Sequence, residues 1–521
     1  MPMPAPNTPW PPADYQPAIA AIKRDDALLT GKLGYLNSLR ADKAPRPYEH
    51  RAQFNGGLLG ATAKAIYGRP NAGLSETYQL THHLPIADEL TTVLADYMAG
   101  KPPAAILAPD DEWNTHAQDA LDRLVTSDDF AVQWWNAVYS AGALGWVYGR
   151  VVWNKNVQDT PWIEWIDADC GIAEFENGQQ VAVTFWDTYP APEGKKVYRL
   201  LQRHTAGRIE YQLYEGSHDN IGRPVPFMDC AETQHLANLE GLQDGTILVT
   251  GATTPTAHML SNYRPRREWR HDPTLRYYST SDIARGADIF ETIDQVWSQF
   301  QSEIDAAKGR LFVSEDLLLS AGPGSGQVFD WHQGVFPVGV AGDPDAKPTF
   351  EQVQFDMRVE KYTQALDTGI RKAVSALGLS PFTVDMDPGA SGDMTATETR
   401  ARTKRTRQTA ETKGRMQRAH LSAILTAYVE MDALLNGYQP PTQPVLVSLP
   451  DQIEVSENEI SDAVVTQHNA GVMSLRTAVR KLHPEWTPDE VDAELQELER
   501  QHSYAVDPFA LPSDTNPNPG E

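Results

Sequence analysis

Positive charge is concentrated between Arg400 and Arg418, where Arg400, Arg402, Lys404, Arg405, Arg407, Lys413, Arg415 and Arg418 stand against one acid, Glu411. Arg400, Lys404, Arg407, Arg415 and Arg418 recur at helical spacing and form one stripe suited to phosphates or carboxylates. Just upstream, residues 378–393 hold Asp385, Asp387 and Asp393 among Pro381, Pro388 and three glycines, Gly378, Gly389 and Gly392. Three carboxylates so close together raise the question of a cation. The spacing lacks the calcium-loop pattern and its closing Glu, so a solvated loop is predicted. The adjacent His82 and His83 point in different directions on any regular element, which favours solvated or capping roles over a shared metal. No Gly-Lys-Ser/Thr follows the glycines of Ala321–Gly326, so they are not a phosphate loop. Cys170 and Cys230 are the only cysteines, predicting packed, reduced thiols and no zinc site. No Ser-His-Asp context, Walker motif or dinucleotide fingerprint occurs. The chain therefore reads as a non-enzyme with no catalytic residues, cofactor or metal.

The elements that carry these residues are mainly helical. Ile283, Ala287, Phe290, Ile293, Trp297, Phe300, Ile304 and Ala307 make one apolar stripe, predicting a helix from Ser281 that Ser279-x-x-Asp282 would cap. Phe355, Val359, Tyr362, Leu366, Ile370, Ala373 and Leu377 repeat the device. Between them, Arg310–Ser314 and Gln327–Trp331 predict two short strands joined by the turn Ala321–Gly326. Thr395-x-x-Glu398 is a capping box opening the longest helix, basic at first and then apolar through Leu421, Ile424, Leu425, Tyr428, Met431, Leu434 and Leu435. Earlier, helices are predicted over 18–39 (or a broken pair), 85–98, 112–125 and 128–144. The pair Trp134-Trp135 then belongs to a core or a subunit seam. Alternating patterns from Trp146 to Thr250 predict a β-rich stretch with a hairpin at Ala206-Gly207. Towards the end, Gly471 breaks one helix and Thr487-Pro488-Asp489-Glu490 starts another. The fold class is α+β.

A chain of 521 residues exceeds what one core supports, so two or more domains are expected. No run of eighteen apolar residues occurs, and Met1-Pro2-Met3-Pro4 does not open a signal peptide, predicting a cytosolic product with no membrane association. A net charge of −26 argues against a protein that wraps nucleic acid with an overall basic surface. It suits a channel wall that does not grip DNA, and equally a simple acidic protein.

Asn262, Ser281-Asp282-Ile283, Ile293-Asp294 and Lys308-Gly309-Arg310 precede the β insert and second helix. Gly378-Leu379-Ser380-Pro381, Ser391-Gly392-Asp393 and Thr395–Glu398 follow. In this order they resemble tailed-bacteriophage portal proteins of the SPP1-type, Gp6-like family, although Tyr278-Ser279-Thr280 stands where many members carry a glycine. The resemblance implies a portal fold: a flexible arm (1–20), a wing (21–280), a first stem helix (281–308), a β-containing clip (309–351) and a second stem helix (352–377). A channel loop (378–393), a long wing helix (394–436), a helical crown (437–503) and a disordered tail (504–521) complete it. It implies a ring, usually dodecameric, at a capsid vertex of the virion, assembled in the host cytoplasm. Double-stranded DNA would occupy its channel, and its partners would be the major capsid protein, the terminase large subunit and the head-tail adaptor.

On this reading Asp385, Asp387, Ser391 and Asp393 line the channel loop. Ile283, Phe290, Ile293, Trp297, Phe300, Phe355, Val359, Tyr362 and Leu366 pack the stem, and Leu311, Val313, Val328 and Trp331 serve clip docking. For Arg400, Arg402, Lys404, Arg405, Arg407, Arg415 and Arg418 two readings stand: DNA phosphates, or the acidic surface of an adjacent subunit, the latter favoured by the overall acidity. The alternative for the whole chain is an acidic virion assembly or adaptor protein that does not enclose DNA.

Overall fold

A computed structural model describes residues 3–43, 80–155, 157–192, 194, 196–237, 242–306, 310–313, 319–320, 327–328, 350–353, 357–386, 396–450, 461, 464–467, 470–483, 491 and 493–498. The chain divides into two compact units, Met1–Pro388 with Arg405–Pro450, and Gly389–Lys404 with Asp451–Glu521.

In the larger unit, α1 (Gln16–Thr30) and α2 (Leu33–Lys43) are separated at Gly31, whose φ of +68° ends the first helix. Then come α3 (Ile86–Ala99), β1 (Ala104–Ile106), α4 (Thr115–Val125) and α5 (Asp128–Leu144). Helix α4 begins three residues later than the apolar pattern suggests. Its true cap is Asn114, whose side chain accepts from Ala117 N at 3.2 Å, as Ser127 accepts from Phe130 N at 3.2 Å for α5.

The β-rich stretch follows as β2 (Trp146–Val152), β3 (Trp162–Asp167), β4 (Gly171–Glu176), β5 (Gln179–Pro190), β6 (Val197–Thr205), β7 (Arg208–Ser217) and β8 (Asn220–Val225). It ends with a short α6 (Gln234–Ala237), β9 (Leu242–Gln243), β10 (Ile247–Val249) and β11 (Ala257–Ser261). A seven-stranded antiparallel sheet has the order β4-β5-β6-β7-β10-β9, with β8 also on β7, and a three-stranded sheet has the order β11-β2-β3. The β6–β7 hairpin turns at Ala206-Gly207 with Gly207 at φ +78°.

The Pro-rich amino-terminal arm is docked on this sheet instead of being free along its length. Asn7 N donates to Gly222 O (2.7 Å), Trp10 N to Asp219 O (3.0 Å) and Tyr214 Oη to Pro4 O (3.0 Å). Trp10 packs edge-on against Trp186 at 5.3 Å. Burial of a large ring and pairing with the β7–β8 turn hold a segment whose composition alone suggests mobility.

Two long helices, α7 (Asp282–Ala306) and α8 (Val359–Leu377), flank the insert, and α9 (Ala396–Asn436) follows. The insert differs from the single hairpin expected. Strand β12 (Arg310–Val313) pairs with β15 (Phe350–Val353), while β13 (Leu319–Ser320) pairs with β14 (Gln327–Val328), so the two ladders are nested. The residues between β13 and β14, Ala321–Gly326, and those from 329 to 349 lie outside the described residues. Strand β16 (Leu446–Ser448) pairs antiparallel with β1.

The apolar half of α9 buries Leu421, Ile424, Leu425 and Tyr428 against Trp134, Val138 and Val147. Trp134 is thus core, whereas Trp135 is half-buried and donates to Asp96 Oδ1 at 2.8 Å. A second cluster gathers Ile283, Phe290 and Ile293 of α7, Val374 and Leu377 of α8, and Leu28, Leu90 and Leu94.

The smaller unit contains α10 (Leu475–Leu482), capped by Ser474 through Thr477 N at 3.3 Å and burying Ala478 and Val479. Gly471 at φ +70° ends the helical stretch before it. The start at Thr487-Pro488 lies outside the described residues, as does the segment 504–521.

Candidate functional site

Three helix segments meet where α7 begins, α8 ends and α9 passes. The cap of α7 is Ser281, not Ser279: Ser281 Oγ accepts from Ala284 N (2.9 Å) and donates to Asp25 Oδ2 (2.6 Å). Ser279 Oγ instead accepts from Asn262 N at 3.1 Å and donates to Gly145 O. Burial pushes the Asp25 carboxyl up to about 6, against the opposing pull of Ser281 and of Arg266 at 3.7 Å.

Asp282, fully buried, opens α7. Its Oδ2 lies 2.5 Å from Lys413 Nζ of α9, itself 1% exposed, and its Oδ1 is 3.4 Å from Arg285 Nη1. A carboxylate in the first helical turn also complements the helix dipole. Burial lowers the Lys413 ammonium from its ordinary value, with Asp282 acting in the opposite direction.

At the far end of α8, carbonyls that an isolated helix leaves open are taken by side chains. Arg285 Nη1 donates to Leu377 O (2.9 Å), Arg405 Nη2 to Ser375 O (2.7 Å) and Thr409 Oγ1 to Gly378 O (2.9 Å). Thr406 Oγ1 accepts from Ser380 N at 2.9 Å. Gly378 takes φ +79°, and a Cβ there would sit 2.4 Å from Thr409 Oγ1, so the chain leaves α8 by a glycine turn pressed onto α9. Two guanidiniums at a helix C-terminus suit the dipole. The base of the loop is therefore anchored to α7 and α9 together.

Of the predicted loop residues, Asp385 is described, at φ +52° after a short turn of 3₁₀ helix over Pro381–Val384. Asp387, Ser391 and Asp393 lie outside the described residues. The basic stripe is split by use. Arg405 is committed to α8 and Lys413, counted among the bases of this run, is buried on Asp282, while Lys404, Arg415 and Arg418 are exposed and Arg402 and Arg407 half-buried. The side chain of Arg400 is outside the described residues.

Along the α7–α8 pair, Ile283, Phe290 and Ile293 are buried, whereas Trp297, Phe300, Tyr362 and Leu366 are only half-buried and Val359 is 42% exposed. Phe300 lies 5.3 Å from the Tyr362 ring and 5.8 Å from Trp297. Phe355 is outside the described residues. In the insert, Leu311 and Val313 sit on β12 opposite Gln352 and Phe350, and Val328 opposite Leu319; Trp331 is not among the described residues.

His83 is neither solvated nor a cap. Its Nδ1 lies 2.9 Å from Asp294 Oδ2 of α7, and that hydrogen bond raises its pKa. Leu84 N donates to Asp294 Oδ1 (2.9 Å), and Ser298 Oγ accepts from Thr81 N (3.1 Å) and His82 N (3.0 Å), so residues 81–84 are laced to α7. The partnerships of Lys413 and His83 span 131 and 211 residues and leave no local signal. A second basic run, Arg264–Arg276, is legible in the sequence as a charge pattern in an acidic chain. Among the described residues no group of three or more His, Cys, Asp or Glu is arranged to hold a metal, and no helix is long and apolar enough to cross a membrane.

The model of the family described as phage portal protein, SPP1 Gp6-like, matches residues 79–507. No curated protein matches in sequence. Among solved structures, a chain in the neck of an empty gene transfer agent particle, computed with C6 symmetry, is similar at 13% identity and a TM-score of 0.43, covering 80% of this chain and 94% of that one. A chain from the native particle's neck, computed with C12 symmetry, gives 14% identity and 0.41 over 80% and 93%. One from the native virion gives 13% and 0.41 over the same shares.

Proposed function

This chain belongs to the SPP1 Gp6-like family of phage portal proteins, and from that premise we propose that it forms a ring, of twelve subunits, at one capsid vertex. Double-stranded DNA passes through the ring during packaging and again on ejection. The observation that carries the reading is the family match across 79–507, which includes both long helices, the insert, the loop and α9. The role is structural and positional, without catalysis by this chain.

In this reading α7 and α8 form the stem, and their half-buried Trp297, Phe300, Tyr362 and Leu366 are covered by neighbouring subunits. The insert over 309–351 is the clip, which docks the terminase large subunit and later the head-tail adaptor. The helical and β-rich mass before α7 is the wing and meets the major capsid protein, and the stretch over 437–503 is the crown. Residues 378–393 line the bore. Their acidic side chains repel phosphate and keep the duplex off the wall of the bore at that level. The anchoring of Gly378 by Arg285, Arg405 and Thr409 supports a loop held firmly at its root.

Negative-stain imaging with native mass of the purified chain tests this. A ring with an opening wide enough for a duplex is the expected result. A solid oligomer would overturn it in favour of an acidic adaptor that never encloses DNA.

A further inference from the structure

The segment from Arg264 to Arg276 carries Arg264, Arg266, Arg267, Arg270 and Arg276, no lysine, and only Glu268 and Asp272 as acids, in a chain of net charge −26. Both acids are engaged locally. Glu268 pairs with Arg266 at 2.9 Å, and Asp272 Oδ1 accepts from Thr274 N (2.8 Å) and Leu275 N (2.9 Å). Arg266 is further tied to buried Asp25. Arg264, Arg267, Arg270 and Arg276 are exposed, and among the described residues none has a carboxylate within ion-pair distance.

The segment is rigidly framed. Trp269, Leu275 and Tyr278 are buried, Arg266 N donates to Tyr278 O (2.9 Å) and Thr280 N to Arg264 O (3.1 Å). Aromatic rings orient two of the free guanidiniums, Arg264 at 5.7 Å from the Tyr263 ring and Arg276 at 4.7 Å from that of Tyr277. Arg270 Nη1 donates to Arg267 O at 3.3 Å. The patch also adjoins the loop root, since the other neighbour of Tyr263 is Arg285, 4.9 Å away, which holds Leu377 O.

We propose that Arg264, Arg267, Arg270 and Arg276 form a binding site for the phosphate backbone of double-stranded DNA beside the base of the loop. Forked guanidiniums match phosphate oxygens, and rings that stack them reduce the ordering cost. Duplex DNA presents about one charge per 1.7 Å, a density that warrants four unpaired arginines in one short segment. A second copy of this chain, whose 70 acidic residues are spread over 521 positions, is the competing occupant and an outcome of the test below. The choice of ligand rests on the conduit reading; the existence of the site does not require a closed ring.

The test is fluorescence anisotropy of a labelled duplex with the full chain across a salt series, with native mass recorded on the same samples. The variant R264Q/R267Q/R270Q/R276Q should lose at least about tenfold in affinity and lower the log–log salt slope by about 3.6, four contacts at about 0.9 each. The corresponding four-lysine variant, which keeps the charge, should retain most of the slope. Unchanged binding by the glutamine variant, or loss of binding on R415Q/R418Q instead, overturns the site. So does a glutamine variant that fails to oligomerise yet binds DNA normally, which would assign the patch to a subunit seam. Loss of DNA binding in a chain that never forms rings would support the site and overturn only the portal-ring reading.

Discussion

Replacing Lys413 by Met gives the most direct test of the helix junction. Lys413 is 1% exposed and Asp282 fully buried, at 2.5 Å, so neither charge has water to fall back on. Methionine fills much of the same volume without charge and leaves Asp282 as a buried anion. Breaking one side of such a pair costs about 3–5 kcal/mol. Arg285 remains 3.4 Å from the other carboxylate oxygen, so the expected loss is at the lower end, about 3 kcal/mol. At roughly 2 °C per kcal/mol for a large domain, the melting temperature should fall by about 6 °C. D282N leaves Lys413 buried beside Arg285, a like-charge contact, and should cost as much or more. The double variant D282N/K413M removes both charges, and its loss should be clearly smaller than the sum of the two singles, with a coupling of about 2–3 kcal/mol. Thermal and urea unfolding followed by tryptophan fluorescence would read all three. Additive losses, or a K413M variant within about 0.5 kcal/mol of the parent, would refute the idea that this pair locks α9 to α7.

Three further outcomes are expected. Deleting Ala321–Gly326 from the insert should leave ring formation intact and weaken docking of the motor and adaptor; rings lost in imaging would count against the insert as a peripheral clip. His204, held at about 3, and His258 and His420, at about 4, are buried neutral, chiefly by desolvation. The unfolded chain takes up protons that the folded one refuses, so their contribution is complete above about pH 6.5 and is lost as pH falls, by up to about 1.4 kcal/mol per pH unit for each histidine. In calorimetry at pH 5, His204→Asn should reduce proton uptake on unfolding by about one, and an unchanged uptake would contradict that assignment. Gly31→Ala should destabilise by about 1–2 kcal/mol, since φ is +68° and the new Cβ would lie 2.6 Å from His83 Cδ2; the His83 imidazole resonances should shift with it, and a silent substitution would show that the contact is not tight.

What was legible in the chain and what was not divide along a physical line. An apolar stripe is a local, periodic signal, so α7, α8 and the apolar half of α9 could be read directly, and the β6–β7 hairpin announced itself through Ala206-Gly207. Pairing between distant residues has no period. Lys413 looked like one more member of a solvent-facing basic run, because charge pattern records which face a residue occupies and not what that face meets. Its helical position falls off the stripe of Lys404, Arg407, Arg415 and Arg418, and that displacement was the one available hint that it points inwards. Arg405 departs from the same stripe and likewise turns to its own chain, at Ser375. The nested ladders of the insert were missed for a related reason: β12 could find a partner in either β14 or β15, and short strands do not specify register alone. Among the described side chains, the exposed members of the stripe, Lys404, Arg415 and Arg418, are therefore the ones left for a partner outside the chain, whether phosphate or carboxylate. Of the three bases that stray from it, Arg402, Arg405 and Lys413, the last two tie α9 to α8 and α7 at the root of the loop.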